Sequence, residues 1–407
     1  MRRTIVLLSA GLLAFSLAVP GAVMAAPGHP SYWVAPPNGT DDTAHIQAGL
    51  DYCAANGPNC TVQLRAGTYK TSQLVEDNFQ GTLMGAGEYR TTIVALQYLT
   101  GTPNLITFED GNIEISDLTI SEPWGNGTAT SGLATTYLWS AVYVEGSPAD
   151  LSVDRVSITG ATDPTSGSQL GYNLEDGVEY WGSAASASLS VRSSVFTTMY
   201  TGVEVGQNSG SARVTIGGSP WSGNYFANDP ETVDLASRQS SVFDVSYNTA
   251  AKTTERGVEV DWGGPGCSLS KYFIHDNWLT GVGPAAYAIF VGGNSIYAPC
   301  IAATIWENTI NVLPVAGLGG TGIGVYYIKN AVIMGNTITG AGQHAIQLYG
   351  VTNSMVQAND LSRFTPTSGD AQIYLATDTH QDTVVCLHHR DTVHNGGTGN
   401  TIIGCNH

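Results

Sequence analysis

A short apolar pattern, two aliphatic or aromatic residues around a variable centre, recurs along the chain from residue 106 onward. Successive centres are between 23 residues (Gly324 to Gln347) and 36 residues (Thr107 to Tyr143) apart. Such spacing is typical of a solenoid in which each repeat buries its apolar face against its neighbours. The pattern predicts an all-β chain folded as a right-handed parallel β-helix. The ten copies are Ile106-Thr107-Phe108, Val142-Tyr143-Val144, Val178-Glu179-Tyr180, Val203-Glu204-Val205, Val233-Asp234-Leu235, Val258-Glu259-Val260, Ile289-Phe290-Val291, Ile323-Gly324-Val325, Ile346-Gln347-Leu348 and Ile373-Tyr374-Leu375.

Each copy is followed by a second apolar alternation and, in six of the later repeats, by an asparagine and a third short strand. The chain is therefore expected to form three strands per rung, with the long loops between the third strand and the next first strand. Asparagine tolerates the left-handed backbone of a sharp turn, and stacked asparagines can hydrogen-bond along the axis, which indicates a structural ladder. Its members are Asn224, Asn248, Asn277, Asn308, Asn336 and Asn359.

The residues before the repeats predict a short N-terminal capping helix. Residues 38–42 (NGTDD) precede a stretch in which Ile46, Leu50 and Cys53 share one helical face. A strand that ends in a glycine turn follows at residues 61–69. A stack of rungs exposes an apolar end, and a helix at this place would cover it.

This opening segment, residues 41–50 (DDTAHIQAGL) followed by residues 66–69 (AGTY), resembles that of pectate-lyase-superfamily β-helix proteins. The resemblance covers nearly the whole mature chain and implies carbohydrate cleavage in a groove on the first sheet, but it does not specify the reaction. Of the polygalacturonase signatures only Asp41-Asp42 matches, and it falls in the cap. The Asp-Pro-His-Asp signature of mannuronan epimerases and the Arg-x-Pro-x-x-Arg run of many pectate lyases are absent as well.

The N-terminus has the pattern of a secretion signal, because Arg2 and Arg3 precede an apolar run and then small residues up to Ala25. Residues 1–25 are predicted to be removed, which leaves residues 26–407 as one exported domain, extracellular or periplasmic and expected to be a monomer. No later apolar run is long enough to span a bilayer. The mature net charge, 13 − 33 = −20, disfavours nucleic acid or an anionic membrane as partner.

The six cysteines of this predicted exported chain are expected to form three disulfides. The pairs are Cys53 with Cys60, Cys267 with Cys300 and Cys386 with Cys405. The repeat register supports the second pair, because it puts both cysteines in equivalent loops of adjacent rungs. Zinc bound by Cys386 and Cys405 with the histidines at 388, 389 and 394 is the alternative for the third pair.

The centre of each first strand points to solvent, because its neighbours on either side point into the core. Four consecutive centres are acids: Glu179, Glu204, Asp234 and Glu259. With rungs about 4.8 Å apart they would form a line of charge about 14 Å long. Directly opposed like charges are destabilising, so a raised pKa, a cation or a neighbouring base must offset them. These acids, with Asp261 beside Glu259, are the predicted catalytic residues; an incidental acidic face is the alternative interpretation.

Aromatic side chains near both ends of this acidic line are the predicted sugar-binding platforms, because sugar rings stack on aromatic faces. They are Tyr143, Trp181, Trp262, Phe290 and Tyr326. Arg256 and Lys252 adjoin the Asp234 and Glu259 rungs and are further substrate-binding candidates. Of the histidines, His275 is expected on the second sheet, away from the acids, and His344 is expected to edge the groove.

Three functions are consistent with these residues. The first is a glycoside hydrolase that uses the carboxylates as general acid and base without a cofactor. Its substrate would be a neutral or weakly charged polysaccharide, because an acidic groove repels a polyanion. The second is a polysaccharide lyase in which Glu204, Asp234 and Glu259 hold Ca²⁺, with Arg256 or Lys252 among the candidate bases. The third is a glycan-binding or adhesion protein without catalysis.

Overall fold

The structure, a computed structural model, describes residues 29–96, 104–123, 138–162, 172–184, 186–206, 211–236, 241–261, 270–283, 286–292, 302–314, 319–367 and 369–406. Within these ranges the chain forms one helix, Thr43–Asn56, and 32 strands joined in one sheet system whose strand pairings are all parallel. Each strand pairs with the equivalent strand one turn away, and three strands make up a full turn. The right-handed parallel β-helix predicted from the repeat is confirmed, and so is its N-terminal helix.

The first seven strands belong to the opening turns, and some of them run around corners from one face to the next. They are Ser31–Trp33, Cys60–Gln63, Gly67–Thr71, Leu74–Met84, Thr91–Ala95, Ile106–Ser121 and Leu138–Thr159. The first sheet then continues through Leu174–Gly182, Thr201–Val205, Glu231–Ala236, Arg256–Asp261, Tyr287–Gly292, Thr321–Tyr326, Ile346–Tyr349, Ile373–Leu375 and Val393–Asn395. The second contains Ala187–Arg192, Ala212–Gly217, Val242–Ser246, Lys271–His275, Ala302–Trp306, Val332–Met334, Met355–Gln357, Thr383–Val385 and Thr401–Ile403. The third contains Val195–Thr197, Tyr225–Ala227, Thr249–Ala251, Trp278–Val282, Thr309–Val312, Thr337–Gly342 and Asp360–Pro366.

The core is a column of stacked apolar side chains between the three sheets. On the first sheet Val203 and Val205 are fully buried, whereas Glu204 between them reaches the surface. Aromatic rings stack inside the column as well, with 4.6 Å between the ring centroids of Phe243 and Tyr272. The alternation seen in the sequence therefore separates core positions from the outward face of the first sheet.

The asparagine ladder is confirmed, with one correction to its geometry. The side-chain amide of Asn277 donates from Nδ2 to Oδ1 of Asn308 at 3.0 Å and to the carbonyl oxygen of Val245 at 2.8 Å. Its Oδ1 accepts the backbone N–H of Asn248 at 3.0 Å. The left-handed conformation, however, falls on the residue before the asparagine, such as Asp276 with φ 54°. The asparagines stabilise the turn by hydrogen bonds, while their neighbours adopt the unusual backbone.

The N-terminal helix covers the first turns through Ile46, Leu50 and Cys53, which are fully buried, as predicted. Asp41 accepts the backbone N–H of Thr43 at 2.9 Å, and Asp42 accepts that of Lys70 at 3.1 Å. Both acids therefore have structural partners in the cap.

Two of the three predicted disulfides are present. Cys53 is bonded to Cys60 and Cys386 to Cys405, each pair with Cα atoms 5.2 Å apart. The zinc alternative for the C-terminal pair is therefore wrong, because a disulfide leaves no thiolate to ligate a metal. The predicted Cys267–Cys300 pair lies outside the described residues.

In the opening turns the longest connections follow the third strand, as expected, because residues 122–137 and 160–173 lead from it to the next first strand. Two later turns differ. In the turns that contain Glu259 and Phe290, the longest connections are residues 262–270 and 293–301, which join the first sheet to the second. The predicted secretion signal, residues 1–25, lies outside the described part of the chain. Among the described residues, no helix has the length and apolar character needed to cross a membrane.

Candidate active site

The predicted outward column of the first sheet exists in the structure. Parallel register pairs Glu179 with Glu204, Glu204 with Asp234, and Asp234 with Glu259. The column continues to Tyr143 on the N-terminal side and to Phe290 on the other side. Four acids on neighbouring strands therefore form one line on the outward face of the first sheet, which we call the acid ladder.

Glu179 is almost completely buried, at 4% exposure, and is held by neutral donors. Its Oε1 accepts the indole Nε1–H of Trp181 at 2.7 Å, and its Oε2 accepts the hydroxyl of Ser140. Burial raises the pKa of Glu179, while the hydrogen bonds from Ser140, Trp181 and Trp139 oppose the rise. These donors fix the carboxyl group in one orientation at the N-terminal end of the ladder.

Within the ladder, the surroundings of Glu204 strongly change its acidity. Burial, followed by the negative charges of Asp234 and Glu179, raises the pKa of Glu204 from 4.5 to about 8. A carboxyl group with this pKa is protonated at neutral pH, as a general acid must be. Its neighbours in the register, one rung to either side, are both carboxyl groups.

Asp176 belongs to the same site although its sequence position did not reveal it. It lies three residues before Glu179, in a second column of the first sheet whose register pairs it with Ser140 and Thr201. Asp176 is fully buried, and burial together with the charges of Glu204 and Glu179 raises its pKa well above the usual range. After burial, the charge of Glu204 is the largest cause of this rise, so the two carboxyl groups are linked electrostatically.

Glu259, at the other end of the ladder, is neutralised by an arginine. The guanidinium of Arg256 forms an ion pair with the Glu259 carboxylate, which is only 1% exposed. The same guanidinium lies over the ring of Phe290, with Cζ 4.7 Å from the ring centroid. Arg256 therefore links the last acid of the ladder to the first aromatic residue beyond it.

Two further acids and a tyrosine lie near the acid ladder. Glu231 stands in the second column between Thr201 and Arg256, and is 8% exposed. The hydroxyl of Tyr200 donates to Oε2 of Glu255 at 3.1 Å. Burial and the charges of Glu231 and Glu255 raise the pKa of Tyr200, so its phenol keeps its proton and remains a donor.

Aromatic side chains flank the ladder on both sides, as predicted. The indole of Trp181 lies flat over Gly206, where a Cβ atom would collide with the ring. Tyr143 donates its hydroxyl to Oε2 of Glu145 at 2.9 Å. On the other side Phe290 and Tyr326 have ring centroids 5.2 Å apart.

The remaining predicted site residues are placed as follows. Asp261 pairs with Ala236 at the end of its strand, and only its backbone is described. Trp262 lies outside the described residues. Lys252 is exposed on the turn after the third-sheet strand that ends at Ala251, seven positions before Glu259. In the part of the chain that is described, no group of three or more His, Cys, Asp or Glu side chains is arranged to hold a metal ion.

The two histidines considered in the sequence occupy different sheets. His275 lies on the second sheet, where its ring stacks on Trp306 at 3.9 Å and contacts Asp244 and Asp276. His344 is buried beside the first sheet, with Nδ1 2.8 Å from the carbonyl oxygen of Ala371. Its ring stacks on Tyr374 at 4.7 Å, on the same outward face as the ladder but farther along the axis.

Neither a protein-family model nor a curated protein matches the chain. Among solved structures, a DFA-IIIase from Arthrobacter chlorophenolicus A6 in complex with GF2 is similar at 9% identity and TM-score 0.51, covering 92% of this chain and 98% of that one. A family 28 exopolygalacturonase of Yersinia enterocolitica is similar at 12% identity and TM-score 0.48, covering 92% and 78%. PfbA, a surface adhesin of Streptococcus pneumoniae, is similar at 15% identity and TM-score 0.48, covering 86% and 93%. At such identities the similarities establish the fold alone.

Proposed function

We propose that this protein is an exported glycoside hydrolase that cleaves a neutral polysaccharide in the first-sheet groove. Glu204 acts as the general acid, and Asp234 is its partner carboxylate. The observation that carries the proposal is the raised pKa of Glu204, about 8, in a carboxyl group flanked in the register by Glu179 and Asp234. Glycoside hydrolysis needs two neighbouring carboxyl groups, one of which gives a proton to the glycosidic oxygen.

The chemistry assigns a separate task to each carboxyl group. The protonated Glu204 donates its proton to the glycosidic oxygen as the bond to the leaving sugar breaks. Asp234, one rung away, either activates a water molecule that attacks the anomeric carbon or attacks that carbon itself. In the second route a glycosyl–enzyme bond forms, and water deprotonated by Glu204 then breaks it and releases the sugar. The separation of the two carboxyl groups when sugar is bound decides between the routes. We assign Asp176 as a positioning residue, because it is fully buried and its pKa depends on the charge of Glu204.

Glu179 and Glu259 are less suited to proton transfer than the two central acids. Glu179 already accepts hydrogen bonds on both oxygens, from Trp181 and Ser140. Glu259 is buried against the guanidinium of Arg256. We assign them to orienting the site: Glu179 fixes Trp181, and Glu259 fixes Arg256 beside Phe290.

The groove favours a neutral glycan. The acid ladder would repel a polyuronate, and the arginine nearest to it is already paired. Trp181, Phe290 and Tyr326 offer flat aromatic surfaces for the apolar faces of sugar rings. Export is supported by the two disulfides, which persist in oxidising compartments.

The experiment is a screen against an α-glucan, a β-glucan, a fructan, a mannan, a xylan and polygalacturonate, with and without a calcium chelator. New reducing ends without ultraviolet absorbance, unaffected by the chelator, are expected on a neutral polymer. Unsaturated products that require calcium would instead identify a lyase, and retention of a glycan without turnover would identify a binding protein.

The residue assignment is tested with Glu204→Gln and Asp234→Asn on the polymer that is cleaved. Each variant should lose at least a hundredfold in kcat, because general acid–base catalysis contributes about 10² to 10⁴. The matched control is Glu109→Gln, which removes an exposed carboxylate from the same sheet face. Wild-type turnover by either ladder variant would overturn the assignment.

A further inference from the structure

The outward column of the first sheet continues well beyond the acid ladder. After Glu259 the register runs through Phe290, Gly324, Gln347, Tyr374 and His394. With rungs about 4.8 Å apart, the last two lie about 19 Å and 24 Å past Glu259 along the axis. The outward column therefore extends well past the acid ladder on its C-terminal side, and we call this part of the face the C-terminal arm.

This arm is lined by aromatic side chains in direct contact. The hydroxyls of Tyr287 and Tyr326 are 2.8 Å apart, and the ring centroids of Tyr326 and Tyr349 are separated by 5.6 Å. Gly324 leaves room for this arrangement, since a Cβ atom there would lie 2.6 Å from Cδ1 of Tyr287. The floor thus changes from carboxylates to aromatic faces and phenol groups.

The arm ends in a cleft next to three stacked rings. Tyr374 lies between His344 and His394, with centroid distances of 4.7 Å and 4.8 Å. His394 is exposed, Tyr374 is partly exposed, and His344 is buried. The residues that line the cleft are Gly369, Asp370, Ala371, Tyr374, Thr392, Val393, His394 and Asn406.

We propose that this C-terminal cleft is a distal binding subsite for the same glycan chain that is cleaved at the acid ladder. The inference rests on the proposed function, which it deepens by making the substrate a long polymer. The exposed imidazole of His394 offers a flat surface for a sugar ring, and Asp370, Thr392 and Asn406 offer hydrogen-bonding groups for hydroxyls. No Lys or Arg is among the lining residues of this cleft, which fits a neutral sugar.

The cleft lies far from the acid ladder along the axis. Glu204 and Tyr374 are six rungs apart in the column, or about 29 Å. A short oligosaccharide bound at the ladder cannot reach the cleft, whereas a long chain lying in the groove can occupy both. The cleft should therefore improve the use of long substrates and leave short ones unaffected.

The test compares short and long oligosaccharides of the neutral polymer cleaved fastest in the screen, using Tyr374→Ala and His394→Ala. Because His394 is exposed, its variant should fold even if removal of Tyr374 disturbs the last rungs. We expect kcat/KM to fall about five- to tenfold on long chains and to remain unchanged on short ones. The matched control is Trp278→Ala, an exposed aromatic residue on the third sheet, 59% accessible and outside the groove.

The outcomes separate this proposal from the hydrolase assignment. Equal activity of His394→Ala and wild type at every chain length would overturn the distal subsite while leaving the hydrolase intact. If the wild type cleaves no glycan, the hydrolase assignment is refuted. The subsite is then tested by electrophoresis of each variant through gels that contain the same neutral polysaccharides, because a protein that binds the polysaccharide migrates more slowly. There, weaker retardation of His394→Ala than of Trp278→Ala supports it, and equal retardation overturns it.

Discussion

Replacing Glu204 by glutamine should make the protein more stable at alkaline pH even as it removes activity. In the folded protein the pKa of Glu204 is about 8, because of burial and the neighbouring carboxylates, against 4.5 for an unperturbed glutamic acid. Between these two pH values the folded state keeps a proton that the unfolded state has released. Stability must therefore fall as pH rises through this interval.

The size of the effect follows from the interval between the two pKa values. Well above pH 8, the difference between the two pKa values lowers the unfolding free energy by about 4.8 kcal/mol, since one pH unit corresponds to 1.36 kcal/mol. Between pH 5 and pH 8 the loss is about 3.5 kcal/mol at most. Because Glu204 keeps some contact with solvent, we expect about 2 kcal/mol of this loss to be observed. A glutamine is neutral at both pH values, so the unfolding free energy of the variant should not show this loss.

The assay is denaturant unfolding of wild type, Glu204→Gln and the control Glu109→Gln at pH 5 and pH 8. We expect the drop in unfolding free energy between the two pH values to be about 2 kcal/mol smaller in Glu204→Gln than in the other two proteins. Identical drops in all three would refute the reasoning, because Glu204 would then be ionised in the folded state and could not serve as the acid.

Three further predictions concern the scaffold. Asn277→Ala should lower the unfolding free energy by about 3 to 5 kcal/mol in denaturant titrations, because it leaves buried partners unsatisfied on two adjacent rungs. His275→Gln should destabilise the protein most between about pH 4 and 6.5, as measured by melting temperature across pH. Burial opposes the rise, but hydrogen bonds to carboxylates raise the pKa of His275, so the stability that its positive charge provides is lost as pH rises through this raised pKa. Burial alone would raise the pKa of Asp244, but hydrogen bonding to His275 lowers it. The stability that the Asp244 carboxylate provides is therefore lost on acidification below about pH 4. Replacing Cys386 and Cys405 by serine should cost about 3 kcal/mol of unfolding free energy, given the 19-residue separation that the disulfide closes.

The features that recur with the period of the fold were predictable from the sequence. A one-residue error in register would have moved every outward residue into the core, so the apolar flanks of Glu204 and of its counterparts fix the column. The asparagine ladder was predictable for a similar reason, because one residue type returns at one place in each turn. Its backbone geometry was not, since the left-handed residues are as varied as Tyr247, Glu307 and Ala358.

The parts of the site that do not follow the alternation were missed. Asp176 is three residues from Glu179, and strict alternation along a strand puts such residues on opposite faces. In the structure Asp176 pairs with Thr201, three residues before Glu204, and the charges of Glu204 and Glu179 contribute to its raised pKa after burial. The ion pair of Arg256 with Glu259 has the same separation and was missed for the same reason.

The acid ladder shows how a line of like charges can be tolerated, and this explains why its members are not chemically equivalent. Glu179 is stabilised by neutral donors, Glu259 by a guanidinium, and Glu204 by retaining its proton. The first two arrangements engage the carboxylate oxygens in hydrogen bonds or in an ion pair. The third leaves an acid that holds its proton at neutral pH, because of burial and of the nearby carboxyl groups of Asp234 and Glu179. Burial contributes most to the raised pKa of Glu204, and the repulsion between neighbouring rungs adds to it, so separating the carboxylates would improve stability and bring that pKa back towards its usual value.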